Sequence, residues 1–149
     1  MSTDICPDVG EVNPRDAWEI LATEKDARLI DVRTTAEWGF VGVPDLSEVG
    51  HSVICVEWAA YPGMSKNLRF VEAVNEELGN ERPGKLLFLC RSGVRSLSAA
   101  KAVAAQFAKD GMAVDCFNVA EGFEGDLDSY GQRGRLNGWK HRGLAWRQS

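Results

Sequence analysis

With 149 residues, of which 44% are hydrophobic, the chain can bury one sizeable core and is too short for two tandem modules. A net charge of -5 argues against general nucleic-acid binding, and no apolar stretch is long enough to span a membrane. Met1 to Val12 carries acids and no basic-then-apolar run, so the expectation is a cytoplasmic protein without a signal or transit peptide.

Residues 1–11, with Cys6, are expected to form a mobile tail. Val12-Asn13-Pro14 followed by Ala17, Trp18, Ile20 and Leu21 predicts a first helix, with Asn13 as N-cap, Pro14 at the first helical position and Trp18 as a core anchor. Ala27 to Val32 predicts a short strand ending in Asp31-Val32-Arg33, where open sheets place ligand sites. Asp31 and Arg33 are read first as an ion pair that fixes neighbouring loops, and second as catalytic groups. Thr34 or Thr35 caps a short helix through Glu37, Trp38 and Phe40, which Gly42-Val43-Pro44 breaks. His51 is expected to make a local hydrogen bond. A strand is predicted over Val53 to Trp58, then a turn or rim at Tyr61-Pro62-Gly63-Met64, then a helix over Asn67 to Leu78 closed by Gly79.

Lys85 to Leu89 is apolar without alternation and follows Pro83-Gly84, which suits a buried strand of a parallel sheet. Leu97, Ala100, Val103, Ala104 and Phe107 recur at helical spacing, so a helix is predicted over Leu97 to Lys109, with Ser96 as N-cap. Between them lies Cys90-Arg91-Ser92-Gly93-Val94-Arg95. A strand, tight loop and helix aim backbone N–H groups at one spot beside the positive end of a helix dipole. A free cysteine ionises at about pH 8.5, and such a setting favours the anion, so Cys90 is the candidate nucleophile. From Arg82 to Lys109 there is no Asp or Glu, while Arg82, Lys85, Arg91, Arg95, Lys101 and Lys109 are basic, which suggests an anionic substrate. Taken alone, Cys90 is as simply a buried strand-end residue; the frame of Cys, four residues, Arg and Ser after a strand favours chemistry.

Gly111 ends that helix, and Ala113 to Val119 supplies the last strand. Alternating strands and helices imply an α/β fold, a parallel sheet flanked by helices. Residues 124–149 form a polar, Gly-rich extension that Trp139, Leu144 and Trp146 clamp onto the body; the sharper alternative is that it shapes the pocket mouth. Cys6, Cys55, Cys90 and Cys116 show neither Cys-x-x-Cys nor zinc spacing, Cys55 and Cys116 read as buried, and nothing selects a disulfide partner for Cys90.

Cys90-Arg91-Ser92-Gly93-Val94-Arg95-Ser96 resembles the active-site loop of rhodanese-like sulfurtransferases. Asp31-Val32-Arg33 with Glu37-Trp38 and Gly42 is similar to that family's early signature, and Val119-Ala120-Glu121-Gly122-Phe123 to the segment after its last strand. The basic residue usual after the early glycine is missing, since Val43 follows Gly42. The resemblance implies one rhodanese-like domain over residues 1–149, three-layered around a mostly parallel sheet of about five strands. It implies sulfur transfer from an anionic donor such as thiosulfate, through a Cys90 persulfide, to cyanide, a thiol or a sulfur-accepting protein, with no organic cofactor or metal. Arg91, Ser92, Gly93, Val94, Arg95 and Ser96 would bind the donor and stabilise the persulfide, with Asp31 and Arg33 in support. Dual-specificity phosphatases and arsenate reductases place five residues between Cys and Arg; only four lie between Cys90 and Arg95, which puts the phosphatase reading second and a non-catalytic binding module third.

Overall fold

A computed structural model describes residues 8–149. Cys6 lies outside the described residues. In chain order the elements are β1 (Gly10–Val12), α1 (Pro14–Thr23), β2 (Ala27–Asp31), α2 (Thr35–Phe40), β3 (Val43–Pro44), β4 (Ile54–Cys55), β5 (Ala59–Ala60), β6 (Ser65–Lys66), α3 (Phe70–Leu78), β7 (Lys85–Leu89), α4 (Val94–Lys109), β8 (Asp115–Val119) and β9 (Trp146–Arg147). Five strands make one parallel sheet in the order β1-β8-β7-β2-β4. It is the three-layered α/β arrangement that alternating elements predict.

Consecutive side chains of a strand point to opposite faces, and here both faces are covered. Leu86, Phe88 and Cys90 pack with Phe70, Val74 and Leu78 of α3 and Ala99, Val103 and Phe107 of α4. Leu87 and Leu89 pack on the other face with Ala17 and Leu21 of α1. One ten-residue helix is narrow cover for that face, and Phe123, Trp139 and Leu144 complete it. Trp139 is fully buried, meets Trp18 edge-on at 6.0 Å between ring centroids, and donates its indole N–H to Ala145 O at 2.9 Å. β9 then pairs antiparallel with β3.

Four expectations need correction. Gly10 and Glu11, expected in a tail, join the sheet with Val12 as an edge strand on β8. The strand expected over Val53–Trp58 has ladder pairing only at Ile54–Cys55, although the amides of Val56 and Trp58 still bond to Asp31 O and Val32 O at 3.1 Å each. α3 starts at Phe70 instead of Asn67, whose carbonyl accepts from Phe70 N in the preceding turn. α4 starts at Val94, not Leu97, so Ser96 lies inside its first turn and is not its cap. Gly93, with φ +112, makes the strand-to-helix turn, and its carbonyl accepts from Leu97 N at 3.3 Å. Asn13 does cap α1, and Thr34 forms a capping box with Glu37 on α2.

Candidate functional site

The C-terminal ends of β2 and β7, the first turn of α4 and the Glu121–Phe123 turn meet around Cys90. Its residue is 1% exposed, yet it lies in the floor of a pocket of about 340 Å³ lined also by Met64, Arg91, Ser92, Val94 and Arg95. Gly93 N–H donates to Cys90 Sγ at 3.1 Å, and Ser96 Oγ lies 3.2 Å from the same sulfur. Ser96 Oγ in turn donates to Asn118 Oδ1 at 2.6 Å. One directed amide, one hydroxyl and the start of a 16-residue helix thus surround a single sulfur.

The local positive field is smaller than the run of basic residues suggests. Arg95 is held by Glu37 through two parallel hydrogen bonds of 2.7 and 2.9 Å. Burial pushes the Glu37 carboxyl up, but pairing with Arg95 and the Thr34 bonds outweigh it, so it ionises below its ordinary range. The Arg95 guanidinium is held above its usual value, first by that hydrogen bond. Lys85 pairs with Glu24 at 2.6 Å at the far end of the strand. Among the described residues Arg91, exposed at the rim, stands in no salt bridge.

Behind the loop, Asp31 and Arg33 form a fully buried pair at 2.6 Å, with Arg33 also donating to Gly42 O at 2.7 Å and lying 4.3 Å above the Phe123 ring. The pair therefore ties β2 to the end of α2 and to the turn after β8, and neither residue lines the Cys90 pocket. His51 Nε2 lies 2.9 Å from Leu21 O, a local contact away from the sulfur. Burial pushes the thiols of Cys55 and Cys116 up to about 12, so both stay protonated.

The Glu121–Phe123 turn, part of the segment that carries the family resemblance, lies against the cysteine loop. Phe123 N–H donates to Cys90 O at 2.8 Å and Glu124 N–H to Arg91 O at 3.0 Å, so this turn fixes the carbonyl side of the cysteine loop. Gly122, with φ +67, sits so close that a Cβ would lie 2.4 Å from Arg91 O. Glu121 itself holds φ +71 and is clamped by Arg142 at 2.6 Å and by Gly138 N–H at 2.9 Å. That pairing with Arg142 holds the Glu121 carboxyl below its ordinary range. Among the described residues no tail side chain lines the Cys90 pocket, but the first tail residues reach its loop directly: Glu124 and Gly125 N–H both donate to Arg91 O, at 3.0 and 3.2 Å. Glu37 and Asn118 are the site residues that local sequence does not assign to the sulfur: each acts across more than twenty intervening residues.

No family model matches the sequence. An uncharacterized protein of Rickettsia conorii, RC0915, is 33% identical over 130 residues, which covers 87% of this chain and 90% of that protein. The crystal structure of Rv0390 from M. tuberculosis is 42% identical, with a TM-score of 0.79 over 95% of this chain and 98% of that one. Two more distant structures share the fold. The polysulfide-sulfur transferase homodimer of Wolinella succinogenes is 18% identical, with a TM-score of 0.56 over 97% of this chain and 82% of that one. RPA3614 of Rhodopseudomonas palustris, described as a possible tyrosine phosphatase, is 15% identical, with a TM-score of 0.51 over 99% of both chains. Among the described residues no helix is long and apolar enough to cross a membrane.

Proposed function

This chain belongs to the rhodanese-like family, and from that premise we propose that it is a sulfurtransferase working through a persulfide on Cys90. The observation that carries the reading is the sulfur itself, in the floor of an open pocket at the start of α4 with Gly93 N–H directed onto it at 3.1 Å. In the first step the Cys90 thiolate attacks the outer sulfur of thiosulfate. An S–S bond forms to Cys90, the donor's S–S bond breaks, and sulfite leaves with the electron pair. In the second step cyanide or a thiolate attacks the terminal sulfur and Cys90 departs as thiolate, so a cyanide acceptor yields thiocyanate.

Arg91 meets the donor's anionic oxygens at the rim, a role that suits an exposed guanidinium without a carboxylate partner among the described residues. Arg95, tied to Glu37, fixes the loop and contributes field. The amide of Gly93 and the hydroxyl of Ser96 stabilise the sulfur anion as an oxyanion hole stabilises oxygen. Ser92 and Val94 line the pocket and Asp31 with Arg33 braces it from behind. The partners proposed are a small anionic sulfur donor and a thiol, cyanide or persulfide-accepting protein, in a reducing cytoplasm.

The possible tyrosine phosphatase among the fold neighbours supports a second reading, phosphoryl transfer to Cys90. The four-residue spacing between Cys90 and Arg95 and the Glu37 carboxylate that already occupies Arg95 both weigh against it. A thiocyanate assay with thiosulfate and cyanide, run beside aryl-phosphate hydrolysis, separates the two. Thiocyanate formation that is lost in Cys90→Ser is expected; aryl-phosphate turnover without thiocyanate would put the phosphatase first.

A further inference from the structure

We propose that Asn118 is a positioning residue for Cys90, acting through Ser96 by holding the serine's single hydroxyl proton away from the sulfur while the site is at rest; this rests on Cys90 being the reactive group. Asn118 projects from β8, is 3% exposed, and sits in the second half of a chain that runs Cys90 Sγ, Ser96 Oγ, Asn118 Oδ1 at 3.2 and 2.6 Å. The direction of its amide is fixed from the far side. Asn118 Nδ2 donates to Gly93 O at 3.2 Å and faces Glu11 Oε1 at 3.5 Å, two acceptors that only the NH₂ can serve. Oδ1 therefore faces Ser96, and an amide oxygen only accepts, so the proton in the 2.6 Å bond belongs to Ser96.

A serine hydroxyl has one proton, so the contact to sulfur must run the other way, from the Cys90 S–H to Ser96 Oγ. That arrangement suits a thiol. A thiolate or a persulfide anion brings no proton of its own, so Ser96 must turn its hydroxyl from Asn118 to the sulfur, leaving Oδ1 without a donor in a buried place. Gly93 N–H points at the sulfur in either state. Asn118 thus opposes ionisation that the loop favours, and spares the empty site from indiscriminate alkylation and oxidation. The charged and titratable groups around this centre are Arg91 and Arg95 on the loop and α4, Glu37 on α2, Tyr61 near Arg95, Glu11 on β1, and Glu121 and Asp126 beyond β8, with the Asp31–Arg33 pair behind the loop. None of them is altered in the variants below.

The test is the pH dependence of iodoacetamide alkylation of the Cys90 peptide in the full chain, read by mass spectrometry so that the other cysteines do not contribute. Asn118→Leu frees the Ser96 proton, and the alkylation midpoint is expected to fall by about one pH unit. Asn118→Asp keeps an acceptor on Ser96 and is expected not to lower it. In a Ser96→Ala background Asn118→Leu is expected to have no effect. An unchanged or raised midpoint in Asn118→Leu, or the same fall without Ser96, would overturn the proposal. Should Asn118→Leu not fold, the wild-type protein decides the matter below its alkylation midpoint. Its infrared difference spectrum against Cys90→Ser should show an S–H stretch shifted to lower frequency by donation to Ser96, and an unshifted stretch would refute it. Alkylation uses no sulfur donor, so failure of sulfur transfer would refute the function and an unshifted midpoint would refute this coupling, each separately.

Discussion

At the scale of residues, the two arginines of the cysteine loop divide the work. Arg95 spends its guanidinium on Glu37, which also belongs to the Thr34 capping box; Glu37→Gln removes the charge of a partly buried ion pair, while glutamine still serves the capping box. A loss of about 2–3 kcal/mol in urea unfolding is expected. Among the described residues Arg91 has no such partner, and Arg91→Ala should leave unfolding unchanged while raising the KM for thiosulfate roughly tenfold, the worth of one charge-assisted bond. Asp31→Ala strands the Arg33 charge in a fully buried place and should cost about 3–5 kcal/mol, more than any other carboxylate substitution near the site. The sequence makes Cys90 and its loop legible because the loop is contiguous. Glu37 is 58 residues from Arg95 and Asn118 is 22 from Ser96, and no local spacing announces either bond.

At the scale of elements, strands and helices that bury a continuous apolar stripe are readable from the chain, and those that begin on a backbone conformation are not. The apolar run Lys85–Leu89 and the stripe from Leu97 to Phe107 announce β7 and α4. The true start of α4 is hidden, because it depends on the positive φ of Gly93 and because Ser96, a good cap by residue type, lies inside the helix. The short β1 is hidden for a related reason: three residues at a sheet edge, with Gly10 among them, look like tail. The Glu121–Phe123 turn yields a sharp prediction. Gly122→Ala adds a Cβ 2.4 Å from Arg91 O at a left-handed position, so the cysteine loop must shift. Alkylation and sulfur transfer should both fall at least tenfold in protein whose far-UV circular dichroism stays native, and wild-type rates in that variant would deny the turn its role.

At the scale of the whole molecule, the tail is structural cover for one face of the sheet. Trp139→Ala should cost about 3–5 kcal/mol, so deletion of everything after Phe123 unfolds the body and does not isolate a mouth effect. The same tail carries Arg142, whose pairing with Glu121, like that of Arg95 with Glu37, lowers a carboxyl below its ordinary value of 4.5. A depressed carboxyl contributes stability that is complete above the unfolded value and is lost as pH falls through the folded one. The melting temperature should therefore be flat above about pH 5 and fall below it, and less steeply in Glu37→Gln. A melting temperature as acid-sensitive in Glu37→Gln as in wild type would assign that loss to other carboxylates. The claim on which the rest depends is that Cys90 carries sulfur. It is tested most directly by intact-mass spectrometry of the reduced full chain after brief exposure to thiosulfate, beside Cys90→Ser. The account predicts a gain of one sulfur atom on the wild type, removed by cyanide and absent from Cys90→Ser; no gain on folded wild-type protein, or an equal gain on the variant, would contradict it.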